Sequence, residues 1–386
     1  MTQIANIPAR CVFTAFITSA MVACGGGGGG GGTTTPPPVT TPPPPTDPFG
    51  AIGTLEEEQD RLFESIGVGI IAPAYETMAT ESQTLKTAID DYCDDTVNGD
   101  LAATQEIWRD AMIAWQNASI VRFGPVEENN RRLRIQFFPD SNNAVVNNVT
   151  SVLNGGSPIT EPLVASSPVG AQGLPALEYL LFDLGGLDDA TNGPRRCELA
   201  TAIAANFQTI AEELAAAWDP AGQLLADFTS ASGTYMDRNE VLTDILESLA
   251  QDTEFVADEK VTRPQQTGAN TTESFRSEQS LANLIANTAA IRAFLDRGNA
   301  DTDYGFRDYL TRAHDSGAIA DQLDQQLAAA ESGLAVLSAS LEDILLGAET
   351  GDIDVVRTSL QDLADSFVDS AIAADVNLGF NNQDGD

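Results

Sequence analysis

Leu101-Ala102-Ala103-Thr104-Gln105-Glu106-Ile107-Trp108-Arg109-Asp110-Ala111-Met112-Ile113-Ala114-Trp115 carries the pattern that decides the fold. Trp108, Met112 and Trp115 recur at spacings of four and three, which places them on one face of a helix. Charged Glu106, Arg109 and Asp110 fall on the other side. The preceding Asn98-Gly99-Asp100 reads as a turn and cap, so the spacing predicts a helix over 101–122.

The same period extends outward in both directions. It predicts helices over 55–93, bent at Pro73, over a short segment ending near 153, over 175–182 and over 194–218. Further helices are expected over 237–262, ended by Pro264, and over 277–297, 303–314, 318–346 and 353–374. Residues 123–140 are irregular and basic, with Arg131, Arg132 and Arg134 near Glu127 and Glu128. Alternating apolar runs are rare. The expected architecture is all-α, two helical bundles in tandem, over 54–229 and 230–375, with a polar tail at 376–386.

The first fifty residues read differently. Residues 11–23 form a short apolar run, too short to span a bilayer as a mature helix. Met21-Val22-Ala23-Cys24 resembles a bacterial lipobox, which implies a leader over 1–23 and acylation at Cys24. Residues 24–53 then form a linker whose glycine half is flexible and whose Thr/Pro half leans to extended polyproline II. The expectation is an exported protein, lipid-anchored in the bacterial cell envelope.

The formal net charge of the 386 residues is -38, with only two lysines, Lys86 and Lys260. Such a surface repels nucleic acid, so no nucleic-acid partner is expected. Once Cys11 leaves with the leader and Cys24 is acylated, Cys93 and Cys197 remain. In an oxidising compartment an even pair is expected to form a disulfide. A catalytic zinc needs about three protein ligands, usually with histidine among them. The single histidine, His314, stands alone in Arg312-Ala313-His314-Asp315. No metal site, glycine-rich phosphate loop or Gly-x-Ser-x-Gly is predicted.

Several segments together resemble the imelysin-like family of bacterial envelope proteins. They are Val121-Arg122-Phe123-Gly124-Pro125-Val126, Arg134-Ile135-Gln136-Phe137-Phe138-Pro139-Asp140, Gly173-Leu174-Pro175-Ala176-Leu177-Glu178-Tyr179-Leu180-Leu181-Phe182, and Glu273-Ser274-Phe275-Arg276-Ser277-Glu278-Gln279-Ser280. The resemblance implies a two-domain helical fold, an envelope location and a link to iron uptake. It implies either a metallopeptidase or a binding protein. The family motif Gly-x-His-x-x-Glu is met only at Gly173 and Glu178, because Pro175 stands where histidine is expected.

These readings favour a non-enzymatic binding or accessory protein, with iron or another cation, or a small polar molecule, as its ligand. An envelope or transport protein would be its partner. A metal- or carboxylate-dependent hydrolase using the same cleft is the alternative. Glu178, following an apolar stretch, should be partly dry and so needs a cation, with Arg122 and Arg276 as the candidates. Asp140, Trp115, Phe138 and Tyr179 are expected to wall the cleft.

Overall fold

A computed structural model describes residues 48–94, 99–183, 186–187, 193–296, 304–347 and 353–378. The predicted leader, Cys24 and nearly all of the linker lie outside them. Among the described residues there is no strand, and no helix is long and apolar enough to cross a membrane.

The helices are α1 Leu55–Ile66, α2 Ala72–Cys93, α3 Leu101–Ala118, α4 Arg131–Ile135, α5 Ala144–Leu153, α6 Glu161–Ala165, α7 Gly173–Phe182 and α8 Gly193–Ala217. They continue as α9 Gln223–Ser230, α10 Arg238–Phe255, α11 Arg263–Thr267, α12 Ser280–Asp296, α13 Phe306–His314, α14 Gly317–Ala335, α15 Leu341–Leu345 and α16 Ile353–Ala373. In the first half α2 packs along α8 and α3, while in the second α16 lies against α14 and α10. Across the halves, α3 packs on α12 and α1 on α13.

α3 starts where the sequence places it, because the Asp100 carboxylate accepts the amides of Ala102 and Ala103. Trp108, Met112 and Trp115 are all buried. The expected Cys93–Cys197 disulfide is present and ties the end of α2 to the start of α8.

Several boundaries differ from expectation for identifiable reasons. The helix expected to end at Pro264 runs on to Thr267 through a π-helical stretch, Val256–Thr262. A second π-helical stretch, Gly67–Ile71, precedes Pro73 between α1 and α2. In both places the widened turn comes just before a proline that cannot donate its amide, so the chain stays helical across it. The helix expected over 318–346 breaks after Ala335 and restarts at α15, where the Ser340 hydroxyl accepts the Asp343 amide. α12 begins at Ser280 rather than 277, because Glu278 takes a left-handed φ of +56 that a helix cannot pass through.

Candidate functional site

α7 opens two residues before Pro175, at Gly173. Pro175 is therefore the third helical residue, still among the first four whose amides lack an intrahelical acceptor. Gly173 has φ +66, and a Cβ there would lie 2.1 Å from the Ile135 carbonyl oxygen and 2.3 Å from that of Arg134. Only glycine permits this approach. The bare backbone lets the end of α4 press against the start of α7, and Gln136–Asp140 continues from that contact into the site.

Glu178 is the sixth residue of α7, beyond the turn where the helix dipole acts most strongly. What holds its carboxylate is a loop from the second half of the chain. Its Oε1 accepts both the Ser277 amide at 3.0 Å and the Ser277 hydroxyl at 2.9 Å. The Arg276 guanidinium lies 3.8 Å from Oε2 and also donates to Asp183 at 3.1 Å. Burial at 3% exposure pushes the Glu178 carboxyl above its ordinary range, and the Ser277 and Arg276 contacts oppose that rise.

A cleft of about 90 Å³ opens beside this junction. One wall comes from Gln136–Asp140, Pro175 and Glu178, the other from the 270–276 loop. Phe137, Phe138 and Phe275 give it apolar faces; Asn143, Asn270 and Thr271 give it neutral polar edges. The Phe138–Pro139 peptide is cis.

The cleft rests on a buried polar network. Lys260, in the π-helical stretch, is 3% exposed and sits 2.9 Å from Glu273, itself 3% exposed. The ammonium also donates to Gln116 at 2.6 Å and to Asn287 at 2.8 Å. Glu273 further accepts from Gln136 and Asn283, both at 2.8 Å. Trp115 closes the set by donating to Gln136 at 2.6 Å. This network joins α3, the π-helical stretch and α12 beneath one wall of the cleft.

The predicted residues thus separate. Glu178, Arg276 and Asp140 meet at the cleft with Phe138. Arg122 does not reach Glu178; it donates to Asp252 at 2.9 Å and stacks on Phe255 at 4.9 Å. Burial draws its pKa down while Asp252 opposes the fall. Trp115 lies one layer below the cleft, in the network. Tyr179 is beside it, with the guanidiniums of Arg276 and Arg196 over its ring at 5.3 and 5.4 Å. Lys260, Glu273 and Gln136 were not among the predicted site residues. The rarity of lysine in this chain was the available signal for Lys260.

The imelysin family model matches residues 71–368. The chain belongs to the imelysin family. Two solved structures share its fold. An imelysin-like protein from Psychrobacter arcticum 273-4 is 22% identical, with a TM-score of 0.64 over 85% of this chain and 98% of that one. A protein from Parabacteroides distasonis ATCC 8503, provisionally named iron-regulated protein A precursor, is 15% identical, with a TM-score of 0.70 over 84% and 96%. Among curated proteins, none matches.

The peptidase reading of an imelysin asks whether these residues fit a metal. Among the described residues no three His, Cys, Asp or Glu side chains converge to hold one. The acids that line the cleft already have donors. Asp140 accepts the amides of Ala144 and Val145, Glu178 takes Ser277, and Glu273 takes Lys260. Pro175 offers no ligand atom. The donor set does not fit a catalytic metal.

Proposed function

We propose that this imelysin is a non-enzymatic binding component of the bacterial envelope, tethered through an acylated Cys24 and serving iron or other metal uptake. Its cleft takes a small polar molecule, and an envelope or transport protein is its partner. The observation that carries this reading is the state of the cleft's acids. All three are held by internal donors, and proline occupies the motif's imidazole position. Acids so held are less free to act as general bases or metal ligands, because a donor already engages each of them. Neutral edges and three phenylalanines remain to contact a ligand. The name of the Parabacteroides relative supports the link to iron.

The full-length protein from membranes, assayed for bound metal and for peptide cleavage, tests the central point. The expected result is substoichiometric zinc and no cleavage. Stoichiometric zinc together with cleavage lost in Glu178→Ala would establish the hydrolase instead. Cys24→Ser is expected to release the protein from the membrane fraction.

A further inference from the structure

Phe138 and Phe275 are half-buried, and neither packs against the hydrophobic core as neighbouring Phe137 does. Both line the cleft beside Phe137 instead. Phe138 meets the ring of Phe255 edge-on at 6.2 Å. An aromatic face attracts a cation held within about 6 Å of its centroid, and rings around the cleft already do so. The Arg276 guanidinium lies 4.3 Å from the Phe275 centroid, and Arg122 and the Lys260 ammonium lie over Phe255 at 4.9 and 5.7 Å. Among the described residues no side-chain cation covers Phe137 or Phe138.

The charge of the cleft has the matching sign. Lys260 and Glu273 cancel at its floor. Arg276 faces two carboxylates, Asp183 at 3.1 Å and Glu178 at 3.8 Å. Burial favours the protonated form of Glu178, and in that form Arg276 and Asp183 still cancel. Asp140 is left over. It accepts the amides of Ala144 and Val145 at 2.7 and 3.3 Å, one on each oxygen. An ionised carboxylate has about four acceptor sites, so Asp140 keeps capacity toward the cleft. The net charge of -38 adds to the negative potential. An anion is therefore disfavoured here, and a bare metal ion finds no converging ligands among the described residues. At about 90 Å³ the cleft is smaller than the ~150 Å³ cavity that takes a benzene ring, so it admits a head group of a few heavy atoms.

We propose, taking this cleft as the binding site described above, that its ligand is a small organic cation. An alkylated ammonium head group sits against Phe137 and Phe138 and faces Asp140. Its apolar substituents meet the rings, and its charge meets the ring faces and the carboxylate without displacing any hydrogen bond already made. A hydrated inorganic cation gains nothing comparable from phenylalanine.

The test titrates the full-length protein with tetramethylammonium chloride and, separately, with tert-butanol, a neutral molecule of similar shape. Both titrations run in potassium chloride at constant ionic strength and are read by ligand-observed NMR and calorimetry. The expected result is one saturable tetramethylammonium per chain, weakened about fivefold or more by Asp140→Asn and by Phe138→Leu. Asparagine still caps α5, because its side-chain oxygen serves the same amides. Glu76→Gln, which removes an exposed charge from α2, leaves binding unchanged. Equal binding of tert-butanol, lost in Phe138→Leu, overturns the cation and keeps the cleft as a binding site. No saturable tetramethylammonium overturns the proposal in the parent protein alone, whatever the variants do. Binding that is the same in parent, Asp140→Asn and Phe138→Leu places the cation elsewhere and also overturns it. Failure of the binding reading itself is a separate result, stoichiometric zinc with cleavage.

Discussion

Replacing Lys260 with methionine tests the polar floor of the cleft most directly. Met fills a similar volume, so the change removes the ammonium with little effect on packing. Three short contacts are lost, to Gln116 at 2.6 Å, Asn287 at 2.8 Å and Glu273 at 2.9 Å. Glu273 then keeps only Gln136 and Asn283 as neutral donors while 97% buried. Breaking one partner of a buried ion pair costs about 3–5 kcal/mol, chiefly because the other charge is left uncompensated. At a urea slope of about 3 kcal/mol per M, the midpoint should fall by roughly 1–2 M with the slope unchanged. Glu273→Gln alone should cost a comparable amount. In the double variant neither charge is stranded, so the cost should be smaller than the two single costs summed by about 2 kcal/mol. A Lys260→Met variant within about 1 kcal/mol of the parent, with strict additivity in the double, would refute the reasoning.

Other expectations concern separate features. Gly173→Ala should destabilise by more than about 3 kcal/mol or prevent folding, since its Cβ would overlap two carbonyl oxygens, whereas Pro175→His should stay within about 1 kcal/mol of the parent; urea unfolding compares them. Removing both cysteines, as Cys93→Ser with Cys197→Ser, should cost about 4–5 kcal/mol for a closed loop of 104 residues, read from the same transition against the reduced parent. Burial alone would raise Glu58, but Arg312, the Gly53 amide and Tyr304 outweigh it and hold the carboxyl at about 2. That stabilisation is full above about pH 4.5 and lost as pH falls toward 2, so Glu58→Gln should flatten the acid limb of stability. Asp244 runs the other way. Burial lifts it to about 6 against the opposing Tyr235 hydrogen bond, so stability should fall as pH rises from about 4 to 6. Asp244→Asn should abolish that fall in pH-resolved denaturation.

Helical class was legible in the chain because burial of a single helix face repeats every three to four residues and needs no knowledge of partners. Helix ends were legible only where the capping group is local, as with Asp100. They were missed where the deciding contact is distant. Ser277 lies outside α12 because the chain turns left-handed at Glu278, beside the Ser277 contact with Glu178, 99 residues away. Pro264 fails to end its helix because a π-helical stretch absorbs it, and no residue type marks such a stretch. The Glu178–Arg276 pairing was foreseeable from the rule that a dry carboxylate needs a cation. Arg122 met the same criterion, and sequence gave no means to see that Asp252 claims it. Lys260 was hidden within Asp258-Glu259-Lys260, which reads as a solvated helix face until the wide turn aims the lysine inward.

The motif around α7 can lose its imidazole without losing its fold because its remaining members serve different physical ends. Gly173 exists for the close passage of residues 134–135, a steric demand that an imidazole two residues on does not influence. Glu178 holds Ser277, and through it the loop that forms the opposite wall, a demand met by one carboxylate oxygen. Neither role calls on the side chain at 175, which only borders the cleft. Proline there keeps a helical φ at a position whose amide has no intrahelical acceptor. Gly173 and Glu178, the two motif residues this chain carries, are the ones that build the cleft.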